Sequence, residues 1–124
     1  MISLNVYKLV HLLGILLAFT AVGGLSLHAL NGGTKATNAG RRLVAVSYGG
    51  GLFLVLLGGF GMLARLGIAQ AGLPGWIWAK LVIWVAIGGL LALPYRRPEL
   101  ARVVWLGAVA LGLCAAWIGL YKPF

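Results

Sequence analysis

The chain has 124 residues, of which 62% are hydrophobic and only 9% are charged, and its formal net charge is +9. A soluble domain carries charge at about a quarter of its positions, so this composition excludes an ordinary soluble domain and indicates an integral membrane protein. The basic excess does not indicate nucleic acid as a partner, because the basic residues lie at the ends of apolar segments, where anionic lipid headgroups are expected to meet them.

Four long apolar runs follow one another, and each is close to the roughly 20 residues with which a helix crosses about 30 Å of hydrocarbon. The runs are continuous rather than alternating, which favours helices over a barrel. The connections are short, so neighbouring helices are expected to be antiparallel. The sequence therefore predicts an all-α fold, a single domain over residues 1–124 that forms an integral membrane four-helix antiparallel transmembrane bundle. Its helices are expected near residues 6–30, 43–65, 76–93 and 102–121, with Pro94 closing the third.

Small residues recur at steps of three and four in every helix, the spacing of one packing seam in a left-handed bundle. Within lipid such residues mark helix contacts, because they let two backbones approach. The predicted seams are His11, Gly14, Ala18, Ala21, Leu25 and His28; then Ser47, Gly51, Leu54, Gly58, Gly61 and Arg65; then Val85, Gly88 and Ala92; and finally Trp105, Ala108, Gly112, Ala115 and Gly119. They predict a compact bundle with little space for a wide pore.

The basic residues divide unevenly between the two ends of the predicted bundle. Six lie in loops one and three: Lys35, Arg41, Arg42, Arg96, Arg97 and Arg102. Four lie at the opposite end: Lys8, Arg65, Lys80 and Lys122. Because basic loops stay in the cytoplasm, the sequence predicts a multi-pass protein of the bacterial inner membrane, with loops one and three cytoplasmic and both termini outside.

The two histidines are candidate ligands for a haem iron. They are seventeen residues apart on one helix, which is roughly 26 Å along its axis, so His11 and His28 cannot bind one iron together. A haem on His11 needs a second ligand from elsewhere, and Met62 lies near the same end. The alternative is that each histidine forms a hydrogen bond to the backbone or to water near an interface.

Lys80 is the second candidate, because it lies within an apolar helix. Trp76 and Trp84 flank it at four-residue spacing, so stacking and snorkelling to the interface would explain it. The alternative is a buried partner for a propionate or an anionic headgroup. Lys8, His11, Arg65 and Lys80 form a predicted cationic cluster without an acid, so its partner would be lipid, an anionic ligand or another chain. Of these, His11, Lys80 and Arg65 are the candidate cofactor-binding residues.

The sequence lacks the residues that several transport and catalytic mechanisms require. Glu99 is the only acid, and it lies in a loop, so a proton-coupled exporter with a membrane-embedded carboxylate is excluded. Ser26 and Ser47 have no acid for a catalytic triad, and no metal-ligand spacing is present. The glycine run 49–51 lies inside a helix, so it is not a phosphate loop. We therefore expect no catalytic residues and no metal site.

Residues 7–11, Tyr-Lys-Leu-Val-His, open a glycine-bearing apolar helix, and Trp76 with Lys80 and Leu81 forms a Trp-x-x-x-Lys-Leu pattern. In these features the chain resembles small bacterial four-helix inner-membrane proteins, the HemJ-type protoporphyrinogen oxidases and the SirB-like proteins of unknown role. The resemblance spans helices one to three. It implies haem binding or porphyrin oxidation, with His11 and Lys80 at corresponding positions. The oxidases carry a further histidine in the third helix, where this chain has Gly88 and Gly89.

Three functions are compatible with these residues. The first is a non-catalytic membrane protein, either a small accessory or structural subunit of a larger bacterial membrane complex or a bundle that associates with itself. The second is a haem- or porphyrin-linked membrane redox protein, with haem as the cofactor. The third is a small transporter of an anionic or lipid-like substrate. The missing acid and missing ligand pairs favour the first.

Overall fold

A computed structural model of the chain describes residues 3–68 and 72–122, and helices account for most of them. The elements are α1 (Leu4–Leu30), α2 (Arg41–Leu66), α3 (Gly75–Leu90), the short α4 (Leu93–Arg96), a 3₁₀ turn (Pro98–Leu100) and α5 (Ala101–Tyr121). No strand occurs within the described residues, which confirms the all-α prediction. Residues 1, 2, 69–71, 123 and 124, which the predicted domain includes, lie outside this description.

Local chemistry explains where the first two long helices begin and end. The hydroxyl of Ser3 accepts a hydrogen bond of 3.3 Å from the amide of Val6, which satisfies one of the unpaired donors at the start of α1. Gly67 ends α2 in the left-handed conformation, with φ of 70°, and a residue without a β-carbon adopts this conformation most readily.

The third long helix ends earlier than residue 93, and Pro94 is the reason. A proline lacks the amide proton that would bond to the carbonyl four residues earlier, and its ring collides with that carbonyl. For Pro94 that carbonyl belongs to Leu90, where α3 ends. The chain then turns into α4, in which Pro94 is buried in the first turn.

Four segments are long and apolar enough to cross a membrane: Leu4–Leu30, Arg41–Leu66, Gly75–Arg96 and Pro98–Tyr121. Their mean hydropathy lies between 1.9 and 2.2. Large apolar side chains cover the outside of the bundle, among them Leu43 at 72% exposed and Leu120 at 78%. An apolar surface of this extent is typical of a helix bundle surrounded by lipid.

Helices α1 and α2 lie against each other along their length, with glycines where the backbones meet. A β-carbon added at Gly51 would lie 2.7 Å from the carbonyl oxygen of Gly14 and 2.8 Å from the amide nitrogen of Ala18. One added at Gly58 would lie 2.6 Å from the amide nitrogen of His11. Atoms do not approach this closely without a bond, so these positions need glycine. The contacts confirm this part of the predicted seams.

The seam predicted for the third helix is wrong at Val85 and Ala92, which are exposed, whereas Gly88 is half-buried beside Leu52 of α2. Val85 is 64% exposed, whereas Ile77 and Ile87 are each 7% exposed and pack inward. Residues two apart on a helix are about 200° apart around its axis, so a face that buries Ile87 turns Val85 outward. Bulky residues, rather than small ones, attach this helix to the bundle.

The described core contains Ala18, Ala21, Val22, Tyr48, Ile87, Val104 and Ala108. Tyr48 is 4% exposed, and its hydroxyl donates a hydrogen bond to the carbonyl oxygen of Ile87. This hydrogen bond joins α2 to the last turn of α3.

The glycine contact predicts a stability effect at Gly58. We expect Gly58→Ala to lower the free energy of unfolding by about 1–3 kcal/mol, because the new methyl group forces the backbones of α1 and α2 apart. Gly50→Ala is the control, because a β-carbon at Gly50 meets nothing within 4 Å. There the better helix propensity of alanine should leave stability equal or raise it by up to about 1 kcal/mol. Thermal unfolding in mild detergent, followed by near-UV circular dichroism, measures both variants, and equal stabilities would contradict the close approach.

Candidate ligand cavity

One half of the bundle has a partly open cavity of about 720 Å³, between α1, α2, α3 and α5. It lies at the end where α1 and α3 begin and α5 finishes. Its size is within the range of about 300–1,000 Å³ that is usual for small-molecule sites. This half of the molecule is therefore packed less compactly than the sequence predicts.

The cavity exists because α3 is held away from α2 by large side chains. α1 packs on α2 and α5, and α3 packs on α5, whereas α2 and α3 meet mainly through long side chains. Trp84 reaches across and donates its indole N–H to the carbonyl oxygen of Leu52 at 3.0 Å. Tyr48 makes the second such link, to Ile87. Beyond these links the space between the helices stays open.

Most of the lining is apolar, and positive charge is concentrated at one end. The cationic or ionisable lining residues are Lys8, His11, Lys80 and Lys122, which we call the cationic end. Glu99 is the only acidic side chain of the sequence, and it pairs with Arg97 at 2.7 Å in the connection before α5, away from the cavity. No carboxylate side chain of this chain is thus available to neutralise the cationic end.

Two lysines of the cationic end converge on Gly119. The ammonium group of Lys122 donates to the carbonyl oxygen of Gly119 at 2.9 Å and lies 5.3 Å from the centre of a Trp76 ring. The ammonium group of Lys80 lies 3.2 Å from where a β-carbon of Gly119 would be. Glycine at position 119 leaves room for the Lys80 side chain, and both ammonium groups lie beside this residue.

His11 is half-buried in the same lining. Its Nδ1 lies 2.8 Å from the carbonyl oxygen of Val55. A carbonyl only accepts, so Nδ1 carries the proton and Nε2 is the nitrogen left for another partner. The structure thus shows the backbone hydrogen bond that one sequence interpretation expected. The ligand role of His11 stays a prediction.

The other sequence-predicted residues are placed differently. Met62 also lines the cavity. Arg65 is exposed in the last turn of α2, outside the lining, so the structure does not bring it into the site. The cation over Trp76 is Lys122, and Trp84 bonds across to α2, so neither contact is the stacking on Lys80 that the sequence favoured.

Lys122 is a lining residue that was not among the candidates from the sequence. The division of basic residues between the two ends does place it at the same end as Lys8 and Lys80. What the sequence does not show is that the last turn of α5 lies beside the first turn of α3. That contact brings Lys122 over Trp76.

His28 lies far from this cavity, as its spacing from His11 predicts. Its Nδ1 is 2.7 Å from the hydroxyl of Tyr95, and the side-chain nitrogen Nδ2 of Asn38 donates to the same hydroxyl at 2.9 Å. The two rings meet edge to face, with centres 5.7 Å apart. This network fastens the first loop to α4. The partner of His28 is therefore a side chain, whereas the sequence predicted a hydrogen bond to the backbone or to water.

The described residues contain no group of three or more His, Cys, Asp or Glu side chains placed to hold a metal ion. Comparisons with protein-family models, with curated proteins and with solved structures give no match. The resemblance of residues 7–11 and 76–81 to the HemJ-type and SirB-like proteins therefore stays a prediction.

Proposed function

We propose that the chain is an integral membrane protein that binds an anionic amphiphile, an apolar molecule with an acidic head group, in the cavity. The observation that carries the proposal is a large, mostly apolar cavity with several cationic side chains at one end and no acidic side chain among the described residues of its lining. A ligand of this kind matches both parts of the lining.

Electrostatics supports an anionic partner. Lys80 is half-buried, and a positive charge in a medium of low dielectric is costly unless an opposite charge compensates it. Lys8 and Lys122 are exposed at the cationic end, at the depth where tryptophans collect near lipid headgroups. The head group of an amphiphile would lie at this level, with its tail between the helices.

The membrane arrangement is part of the same proposal. Along α1 and α2, Gly61 lies against Tyr7, Gly58 against His11 and Gly51 against Gly14, an order that supports antiparallel packing. With loops one and three in the cytoplasm of a bacterial inner membrane, the cationic end would face the outer leaflet. The chain would then carry or hold its ligand in that half of the bilayer.

A long-chain fatty acid provides the first test. In nanodiscs of neutral phosphatidylcholine, palmitate should change the tryptophan fluorescence saturably, because Trp76 and Trp84 line the cavity. Lys80→Gln removes one charged hydrogen-bond donor, worth about 1.5–3 kcal/mol, and should weaken binding about 10- to 100-fold. Lys35→Gln, in the exposed first loop, should leave it unchanged. Methyl palmitate controls for partition into lipid, and equal binding of acid and ester would reject the proposal.

Haem is a second candidate for the same cavity, favoured by His11 and Met62 in its lining. Nε2 of His11 is the nitrogen that would bind iron, and Lys80 and Lys122 would pair with the propionates. A bound haem would supply one-electron redox chemistry. Absorbance of the protein mixed with haemin decides this: a Soret band that His11→Ala removes supports haem, and an unaltered haemin spectrum rejects it.

An accessory role in a larger membrane complex, or self-association, remains compatible with ligand binding. Gly49, Gly50 and Gly89 meet no atom within 4 Å of an added β-carbon, so small residues remain on the outer faces of α2 and α3. Faces of this kind suit close contact with another helix in lipid. Light scattering of the protein in mild detergent tests the idea, and a lone monomer without any co-purifying protein would count against it.

The proposed topology predicts a labelling pattern. With Cys114 replaced by alanine, Thr37→Cys in the first loop should resist a membrane-impermeant maleimide in intact cells, whereas Asn5→Cys at the start of α1 should react. Replacing Arg96 and Arg97 by glutamine removes two of the six basic residues that set the orientation, so labelling should become mixed or reversed. Reaction at Thr37→Cys alone would contradict the topology.

A further inference from the structure

The arrangement of lysines around Gly119 narrows the chemistry of the head group. Lys80 and Lys122 approach the same glycine from two helices, and Lys8 lines the same cavity from a third. Three lysines therefore line one space, together with the half-buried His11. α2 adds no charged side chain to the lining, because Arg65 is outside it.

A ligand with a single negative charge does not balance the positive charges of these lysines. A carboxylate would pair with one ammonium group and leave the other, near enough to be repelled by the first, without compensation. A phosphomonoester carries between −1.5 and −2 charges at neutral pH and offers three acceptor oxygens. It can accept from several ammonium groups at once, and lysine binds phosphate as a point charge that needs no planar geometry.

The rest of the cavity lining indicates the chemistry of the ligand's tail. Away from the lysines the lining includes Phe19, Leu52, Ile83 and Ile87. Glycine at position 112 lets the ring of Phe19 pack directly against α5, since an added β-carbon would lie 2.8 Å from that ring. An apolar chain fits this surface, whereas a second polar group would find little to bond with.

We propose that the cavity takes a single-chain lipid phosphate, an alkyl or isoprenoid chain that ends in a phosphomonoester, with the phosphate between Lys80 and Lys122. This inference rests on the proposed binding of an anionic amphiphile and names its head group. It requires the tail as well as the charge, so inorganic phosphate alone should bind poorly.

Four ligands of equal chain length test the head group: decyl phosphate, decyl sulfate, decanoate and decanol. Binding to the full chain in neutral nanodiscs is measured by titration calorimetry, with empty nanodiscs as the blank. At pH 8 decyl phosphate should bind about tenfold or more tightly than the two monoanions, because it alone is a dianion. Lys122→Gln should remove this preference while decanoate binding changes little, and Lys122→Arg, which keeps the charge, should retain it.

The pH dependence of the unmodified protein is an independent measurement, which does not need any variant to fold. Decyl phosphate loses its second proton near pH 6, so its affinity should rise between pH 5 and pH 8. Decyl sulfate keeps one charge throughout, so it reports any change that comes from His11 or the lysines instead. A rise that is the same for both ligands would overturn the inference.

The outcomes separate the two proposals. If decyl phosphate, decyl sulfate and decanoate bind equally tightly and more tightly than decanol, the phosphomonoester inference fails and the binding of an anionic amphiphile stands. If none of the three binds more tightly than decanol, both proposals fail. If inorganic phosphate competes as tightly as decyl phosphate, the site recognises a soluble anion and the tail has no role, which also overturns the inference.

Discussion

The close contact between α1 and α2 is the interaction on which the rest of the structure depends. At Gly14, Gly51 and Gly58 the two backbones touch, and no side chain can enter between them. α1 then uses its remaining buried face for α5, which in turn carries α3. On the fourth side of the bundle, Tyr48 and Trp84 make the side-chain hydrogen bonds between α2 and α3. Tight packing on one side and bridging side chains on the other produce the cavity.

Two side-chain hydrogen bonds hold α2 and α3 at the distance that leaves the cavity between them. Tyr48 donates to the carbonyl oxygen of Ile87 near the end of α3. Trp84, one turn nearer the cationic end, donates to the carbonyl oxygen of Leu52 on α2. These two links set the width of the gap, so fold stability and space for a ligand are linked.

Prediction from the sequence succeeded where a pattern depends on one helix alone. Helix number, length and apolar character follow from four runs of residues, each long and apolar enough to cross the hydrocarbon of a bilayer. The glycines of α1 and α2 were also recognisable, since close approach needs a small residue at each helical turn. The seam of α3 was wrong because bulky residues pack that helix, and a stripe of small residues indicates no face unless a neighbour has a matching one.

The sequence by itself determined an apolar four-helix chain with ten basic side chains and a single acidic one, and hence a large excess of positive charge. Only the tertiary structure decided which of those charges meet. It brings Lys122, from the far end of the chain, to Lys80 and Trp76, and it leaves Arg65 outside the lining. The physical reason is that spacing along a helix determines the face on which a residue lies, whereas the neighbour of that face depends on how all four helices pack. The cavity is a property of that packing, and no single segment contains it.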